Sequence, residues 1–197
     1  MKKIDVVKRY SISNFFASKI CELENYKICI ICDDSGSMSL ASIPFETRWS
    51  EVQEAQKIIV DISSIFDKPG IDIYYLNREP IINVCTSEDL YNYEQFLSTP
   101  YGFTPLGETI ERVIQDTLHC EKTILLIIFT DGEPNNINLF NNTLKNRDYN
   151  KILISIVACT NDKNTVIYLD NLDAKIKNVY VCDNFDPLTF NICFYIW

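Results

Sequence analysis

Runs of apolar residues alternate with amphipathic segments along most of the chain. Residues 27–33 and 123–129 are apolar almost throughout, which is typical of parallel strands covered on both faces. Residues 50–66 instead carry apolar side chains three and four positions apart, which predicts an amphipathic helix with Ser50 and Gln53 as its capping box. Strands that alternate with helices in this way predict an α/β domain with a mostly parallel sheet.

The remaining segments complete this α/β pattern. Residues 71–76 and 81–85 are strand-like but too close together to enclose a helix, so we expect an antiparallel hairpin at one sheet edge. Further strands are predicted at 151–159 and 178–182, and further helices at 88–97, from Pro105 onward, at 138–147 and at 164–176. The predicted fold is a three-layer, Rossmann-like sandwich. It has a mostly parallel central sheet of about six strands with one antiparallel edge strand, and helices on both faces.

A length of 197 residues predicts a single domain, 1–197, that is long enough to bury a full core. We expect the core at 26–183, after an N-terminal arm or helix at 1–25. The tail at 184–197 alternates apolar and polar residues, a pattern that suits either a strand or part of a helix.

The formal net charge of −9 argues against nucleic acid or a membrane surface as a partner. An acidic surface is compatible with a cation site, with a basic partner or with simple solubility. No apolar stretch is long enough to cross a membrane, and the basic N-terminus lacks the apolar core of a secretion signal. We therefore predict a cytoplasmic protein with free thiols. Cys29 and Cys32 form a C-x-x-C pair, but on a strand they project to opposite faces and cannot share one ion.

Oxygen-bearing side chains gather where the two most apolar strands end. Asp33, Ser35 and Ser37 follow the first strand at every second position, and Asp131 closes the later strand. Thr104 lies on a loop that enters a helix, where it also reads as the N-cap. If the two strands are neighbours, these groups meet in one crevice at the carboxyl ends of the sheet. Such an oxygen-only set predicts a site for Mg²⁺, with Mn²⁺ as a substitute.

This ligand set also indicates a function. A cation with few directly bound anions keeps a net positive charge, and its open position would attract a carboxylate. We expect a protein partner to supply that carboxylate from an Asp or Glu side chain. This is a recognition mechanism without covalent chemistry, so we do not expect an enzyme.

The same residues resemble those of a known family. Asp33-x-Ser35-Gly36-Ser37-Met38, the loop from Gly102 to Leu106 and Thr130-Asp131-Gly132 are similar to the von Willebrand factor A (VWA) domain, over roughly 26–183. The resemblance implies a metal-ion-dependent adhesion site with Asp33, Ser35, Ser37, Thr104 and Asp131 in the five family positions. Together with Thr47-Arg48-Trp49 and residues 70–77, the motif looks closest to intracellular forms of the domain from lower eukaryotes.

One residue departs from the family pattern. Phe103 precedes Thr104 where many relatives have a second glycine. Its ring could restrict access to the site, anchor a partner or lie tucked beneath the loop.

Other interpretations compete with the binding module. A metal-dependent phosphohydrolase could use Asp33 as a nucleophile, but it would want a second carboxylate where Ser35 stands, and His119 follows no catalytic pattern. A scaffold with a vestigial metal site is a further possibility. In the plainest interpretation the serines only form a turn and Thr104 only caps a helix. We expect Asp34 and Glu133 to be solvated turn residues.

Overall fold

The sheet at the centre of the protein is built from the apolar segments of the sequence. The computed structural model describes Arg9 and residues 20–43, 46–66 and 69–183. Its strands are β1 (Tyr26–Cys32), β2 (Ala41–Ile43), β3 (Glu46–Thr47), β4 (Ile71–Tyr75), β5 (Ile81–Val84), β6 (Thr123–Thr130), β7 (Ile152–Ala158) and β8 (Val179–Asp183). Six of them form one sheet in the order β5-β4-β1-β6-β7-β8, while β2 and β3 form a separate hairpin that the sequence did not predict.

The sheet has the predicted mixture of strand directions. β1 runs parallel to both β4 and β6, and β7 runs parallel to β6 and β8. Only β5 is antiparallel, and it lies at the edge beside β4. This confirms a mostly parallel six-stranded sheet with one antiparallel edge strand.

Helices cover both faces of the sheet. They are α1 (Arg48–Ser63), α2 (Glu94–Leu97), α3 (Leu106–Asp116), α4 (Ile137–Asn146) and α5 (Lys163–Lys175), with short 3-10 turns at Ile20–Asn25, Gly36–Ser39 and Asp89–Asn92. On one face α1 and α2 bury residues such as Ile59 and Phe96. On the other face α3, α4 and α5 bury Ile110, Phe140 and Leu169. The predicted three-layer sandwich is thus confirmed.

The C-x-x-C pair behaves as the strand geometry requires. Cys32 packs in the core beneath α1, and Cys29 packs in the core on the opposite face. Cys32 and Cys159 are buried free thiols, and burial raises the pKa of both. These residues fill the core as small apolar side chains.

The start of α1 differs from the prediction. The backbone N–H of Ser50 donates to the hydroxyl of Thr47 at 3.1 Å, and the N–H of Thr47 donates to the hydroxyl of Ser50 at 2.9 Å. The capping box is therefore Thr47 with Ser50, and the predicted box of Ser50 with Gln53 is wrong, because the Gln53 side chain instead donates to the carbonyl of Phe96. The earlier start places Arg48 in the first turn of the helix.

Most of the predicted terminal segments lie outside the described residues. Of the predicted arm or helix at 1–25, Ile20–Asn25 forms a 3-10 turn, and Arg9 pairs with the buried carboxylate of Asp61 at 3.0 Å. The tail at 184–197 is not among the described residues, so the division into arm, core and tail stays a prediction. No helix in the described ranges is both long and apolar enough to span a bilayer.

Candidate metal centre

The predicted site lies where the order of the strands reverses. After β1 the chain continues to β4, which lies on one side of the β1–β6 pair. After β6 it continues to β7, which lies on the opposite side of that pair. β1 and β6 are adjacent and parallel, and Cys32 pairs with Phe129 near their carboxyl ends. In open α/β sheets, ligands bind in the crevice outside such a reversal. Asp33 and Asp131 follow these two strand ends.

Asp33 is fixed at the bottom of this crevice. It is fully buried, and its backbone N–H donates to the carbonyl of Phe129 at 2.9 Å. One carboxylate oxygen accepts from the backbone N–H of Ser35 at 2.9 Å, and the other accepts from the hydroxyl of Thr130 at 2.7 Å.

Burial raises the pKa of Asp33 to about 6, and the charge of Asp131 adds to the rise, while the hydrogen bonds from Ser35 and Thr130 oppose it. Among the described residues no lysine or arginine pairs with Asp33. In the described part of the chain, only hydrogen bonds stabilise the negative charge of Asp33. A buried carboxylate of this kind would be stabilised further by a nearby cation.

Ser35, Ser37 and Asp131 form a connected network above Asp33. The hydroxyl oxygens of Ser35 and Ser37 are 3.2 Å apart, and the Ser37 hydroxyl donates to one carboxylate oxygen of Asp131 at 2.8 Å. Ser35 and Asp131 are buried, whereas Ser37 is exposed. Four of the five predicted side chains thus come together, and the network opens to solvent at Ser37.

Thr104 lies on a neighbouring loop that contacts the first one. The backbone N–H of Gly36 donates to the carbonyl of Gly102 at 3.3 Å, which joins the two loops. The hydroxyl of Thr104 takes part in none of the hydrogen bonds found in the described part of the chain. Helix α3 begins at Leu106 with Pro105 as its N-cap, so the prediction that Thr104 is the N-cap is wrong by one position. The backbone N–H and carbonyl of Thr104 instead bond to Asn135.

Asp34 supports both loops from below, and the expectation that it is a solvated turn residue is wrong. It is fully buried, pairs with the guanidinium of Arg78 at 2.8 Å and accepts from the backbone N–H of Asn77 at 2.9 Å. Its own carbonyl accepts from the N–H of Tyr101 at 2.8 Å. Glu133 is exposed, as predicted.

The loop that carries Thr104 is held by Asn77. Its side-chain amide donates to the carbonyl of Phe103 at 2.8 Å and accepts from the N–H of Phe103 at 3.2 Å. Gly102 has φ +89°, and a Cβ there would lie 2.4 Å from the side-chain oxygen of Asn77. Phe103 itself is 75% exposed, so its ring is not tucked beneath the loop.

Arg48 is the residue of this site that sequence reasoning missed. Its guanidinium donates to the second carboxylate oxygen of Asp131 at 2.5 Å and to the hydroxyl of Thr160 at 3.1 Å. Arg48 and Asp131 are 83 residues apart in sequence, and no spacing rule connects them. The only signal was the Thr47-Arg48-Trp49 segment, which matched the family without a role.

The donor set fits a hard divalent cation. Three hydroxyls and two carboxylates offer only oxygen, which is what Mg²⁺ and Mn²⁺ prefer. Within the described ranges, no group of three or more His, Cys, Asp or Glu side chains could hold a metal ion. Any metal binding here therefore depends on the hydroxyls of Ser35, Ser37 and Thr104 as well as on the carboxylates.

A separate groove of about 920 Å³ lies beside the Thr104 loop. Its walls include Tyr75, Arg78, Tyr101, Pro105 and Arg112, and none of the five predicted ligands lines it. The candidate ligands therefore lie outside this groove, and they reach the protein surface only at Ser37 and Thr104.

Solved structures share this architecture. The manganese-loaded TRAP protein of Plasmodium vivax superposes with a TM-score of 0.55 at 15% identity, over 82% of this chain and 69% of that one. The RO (RSR) protein of Deinococcus radiodurans gives a TM-score of 0.57 at 15% identity, over 87% of this chain and 34% of that one. The fold is von Willebrand factor A-like.

A bacterial pilin also has a similar fold. The PilB minor pilin of Streptococcus sanguinis gives a TM-score of 0.58 at 10% identity, over 87% of this chain. The chain spans 60% of the length of that pilin. At such low identities the similarity concerns the fold alone. No protein-family model and no curated protein sequence matches the chain.

Proposed function

We propose that this VWA-like chain is a divalent-metal-dependent protein-binding module. Asp33, Ser35, Ser37, Thr104 and Asp131 would hold Mg²⁺, or Mn²⁺ in its place, as a metal-ion-dependent adhesion site. The proposal rests on the hydrogen-bonded network across the ends of β1 and β6, which joins Asp33, Ser35, Ser37 and Asp131. A manganese-loaded structure among the proteins of similar fold agrees with this choice of metal.

Each residue has a distinct role in the proposed site. The hydroxyls of Ser35 and Ser37 are neutral ligands, and Thr104 adds a third from the neighbouring loop. Asp33 supplies a buried negative charge that its hydrogen bonds to Ser35 and Thr130 hold in place. Asp131 fixes the Ser37 hydroxyl through their 2.8 Å hydrogen bond.

The accessible side of the network indicates what it would bind. Ser37 is exposed and Thr104 is half-buried, so the site opens at the protein surface. A bound divalent cation would supply a Lewis-acidic position there that accepts a carboxylate. We infer an Asp or Glu side chain of a protein partner as that ligand. The exposed ring of Phe103, next to Thr104, is available to a residue beside the acidic one.

We propose recognition rather than catalysis. A phosphohydrolase that uses Asp33 as its nucleophile would need this carboxylate to reach the substrate. Asp33 is fully buried, and both of its oxygens accept hydrogen bonds, so it is poorly placed for attack. The net charge of −9 argues against nucleic acid or an anionic membrane as the partner. The buried free thiols of Cys32 and Cys159 are compatible with a cytoplasmic location.

Isothermal titration with Mg²⁺ and Mn²⁺ tests the proposal. The parent protein should bind one ion, Asp33→Ala should bind none, and Asp170→Ala, an exposed carboxylate on α5, should bind as the parent does. No binding heat in any of the three proteins would remove the metal-site claim. Metal-dependent turnover of p-nitrophenyl phosphate by the parent, lost in Asp33→Ala, would favour the hydrolase. Retention of a partner protein that is lost on adding a chelator would favour the binding module.

A further inference from the structure

Arg48 places a positive charge directly against the candidate ligand set. It is the first residue of α1, and its side chain reaches the loops that follow β6 and β7. The guanidinium contacts Asp131 at 2.5 Å, and the exposed fractions of the two side chains are 18% and 1%. Because this ion pair is well shielded from water, any further charge nearby interacts strongly with the charges of Arg48 and Asp131.

The two oxygens of Asp131 face two different partners. One accepts from the Ser37 hydroxyl at 2.8 Å, and the other accepts from Arg48. The negative charge of Asp131 is thus already compensated, in contrast to that of Asp33. A divalent cation held by the Ser35 and Ser37 hydroxyls would be the second positive group drawn to the same carboxylate.

We propose that Arg48 is a built-in counter-ion that competes with the divalent cation for Asp131 and thereby sets the metal affinity of the site. This inference rests on the proposed function, because it concerns the same ligand set. Like charges that share a poorly solvated site weaken each other's binding. Arg48 therefore compensates Asp131 when no metal is bound, at the cost of weaker binding when metal is present.

The surroundings of Arg48 allow its side chain to release Asp131 without moving the helix. Thr160 already accepts from the guanidinium at 3.1 Å. Asp162 lies nearby: its pKa is lowered mainly by hydrogen bonds from Thr165, and the charge of Arg48 contributes as well. The backbone of Arg48 is fixed by its N–H bond to the carbonyl of Leu40 at 3.1 Å and by the Thr47 cap. The exchange is therefore a movement of the side chain from Asp131 toward Thr160 and Asp162.

Two variants of Arg48 and a control variant at Arg112 test the inference. Arg48→Gln keeps a hydrogen-bond donor but removes the charge, and Arg48→Lys keeps the charge. Arg112→Gln removes the charge of an arginine on α3 that pairs with Glu79 at 2.8 Å. Binding of Mn²⁺ is measured for each protein by electron paramagnetic resonance, together with the rise in Tm that a fixed Mn²⁺ concentration produces.

Arg48→Gln should bind Mn²⁺ about tenfold more tightly than the parent and show the larger Mn²⁺-dependent rise in Tm. Arg48→Lys should stay within about threefold of the parent, and Arg112→Gln should be unchanged. Unchanged or weaker binding by Arg48→Gln, with the parent still binding Mn²⁺, overturns the counter-ion alone. Absence of binding in the parent and in all three variants overturns the proposed function together with the inference.

A measurement on the parent protein covers the case in which Arg48→Gln fails to fold. The side-chain Nε–H resonance of Arg48 should shift during a titration with Mg²⁺, while that of Arg112 should stay in place. Binding of Mg²⁺ without any change at Arg48 would show that the guanidinium does not take part, and would overturn the inference.

Discussion

The hydroxyl of Ser37 donates a 2.8 Å hydrogen bond to the carboxylate of Asp131, which lies 94 residues further along the chain. This bond joins the loop after β1 to the loop after β6. It holds an exposed hydroxyl beside two buried carboxylates, those of Asp33 and Asp131. The candidate metal centre is organised around the hydrogen bond between Ser37 and Asp131.

The first prediction concerns the hydroxyl of Ser37. Ser37→Ala removes a metal ligand and the hydrogen bond to Asp131, so we expect the affinity for Mn²⁺ to fall by about tenfold or more. Ser39→Ala is the matched control, because Ser39 is an exposed serine in the same 3-10 turn. Isothermal titration of both variants gives the comparison. An equal effect of the two substitutions would mean that metal binding does not depend on the Ser37 hydroxyl.

The second prediction concerns pH. Burial raises the pKa of Asp33 to about 6, so this carboxyl group is protonated in the folded protein below that pH. A proton on Asp33 competes with a cation, and the affinity for Mn²⁺ should fall about tenfold between pH 7 and pH 5. Titrations at both pH values, with circular dichroism to verify folding at pH 5, measure the change. Equal affinities would mean that the charge of Asp33 does not contribute to binding.

The main elements of the site could be read from local sequence. Asp33 and Asp131 each follow a strand that is apolar almost throughout, and the carboxyl ends of adjacent parallel strands meet at one edge of a sheet. Serines at alternate positions after the first strand lie close to the same edge. The order of the strands was the remaining condition, and β1 and β6 are indeed neighbours.

Two contacts of the site could not be predicted from local sequence, because they depend on tertiary packing. Asp34 is buried because the Arg78 guanidinium, stacked 4.8 Å from the ring centroid of Tyr101 and 5.8 Å from that of Trp49, lies against it. The pairing of Arg48 with Asp131 likewise follows from where α1 begins. Both contacts join segments distant in sequence, and local periodicity carries no information about them.

The third prediction concerns Gly102. A Cβ at this position would lie 2.4 Å from the side-chain oxygen of Asn77, and the φ of +89° is unfavourable for alanine. Gly102→Ala should lower the free energy of unfolding by about 1–3 kcal/mol and weaken Mn²⁺ binding, because it displaces the loop that carries Thr104.

Gly132→Ala provides the control for Gly102→Ala, since a Cβ at Gly132 would meet nothing within 4 Å. Urea unfolding and Mn²⁺ titration should show little change in this variant. If Gly102→Ala left both quantities as in the parent, the support of the loop by Asn77 would be disproved.

The fourth prediction separates stability from binding. Arg147 is buried far from the candidate site, and its guanidinium donates to the carbonyls of Leu144, Ile152, Lys177 and Asn178. Burial lowers its pKa to about 10. Arg147→Met removes these hydrogen bonds, although the carbonyl of Asn178 keeps the one that it accepts from the N–H of Ile154. The substitution should cost about 2–4 kcal/mol of stability, with the Mn²⁺ affinity of the folded protein unchanged. Arg112→Met, at an exposed position, should change stability by less than about 0.5 kcal/mol. Comparable stability losses in a urea series would contradict this role of Arg147.

The fifth prediction concerns Phe103, whose ring is 75% exposed beside Thr104. A library of displayed peptides selected against the parent protein in Mn²⁺ should be enriched in Asp or Glu next to an apolar residue. Phe103→Ser should lose the apolar preference but keep the acidic one and the Mn²⁺ affinity. A chelator should abolish selection by both proteins. Peptides without an acidic residue, or selection that persists in chelator, would count against carboxylate capture.

The most direct test is a crystal structure of the protein in the presence of MnCl₂, with an anomalous difference map recorded for manganese. We expect one strong peak within about 2.0–2.3 Å of the Ser35 and Ser37 hydroxyl oxygens, on the side of Asp33 and Asp131. A map without a peak at this position, at an Mn²⁺ concentration that saturates binding in solution, would contradict it.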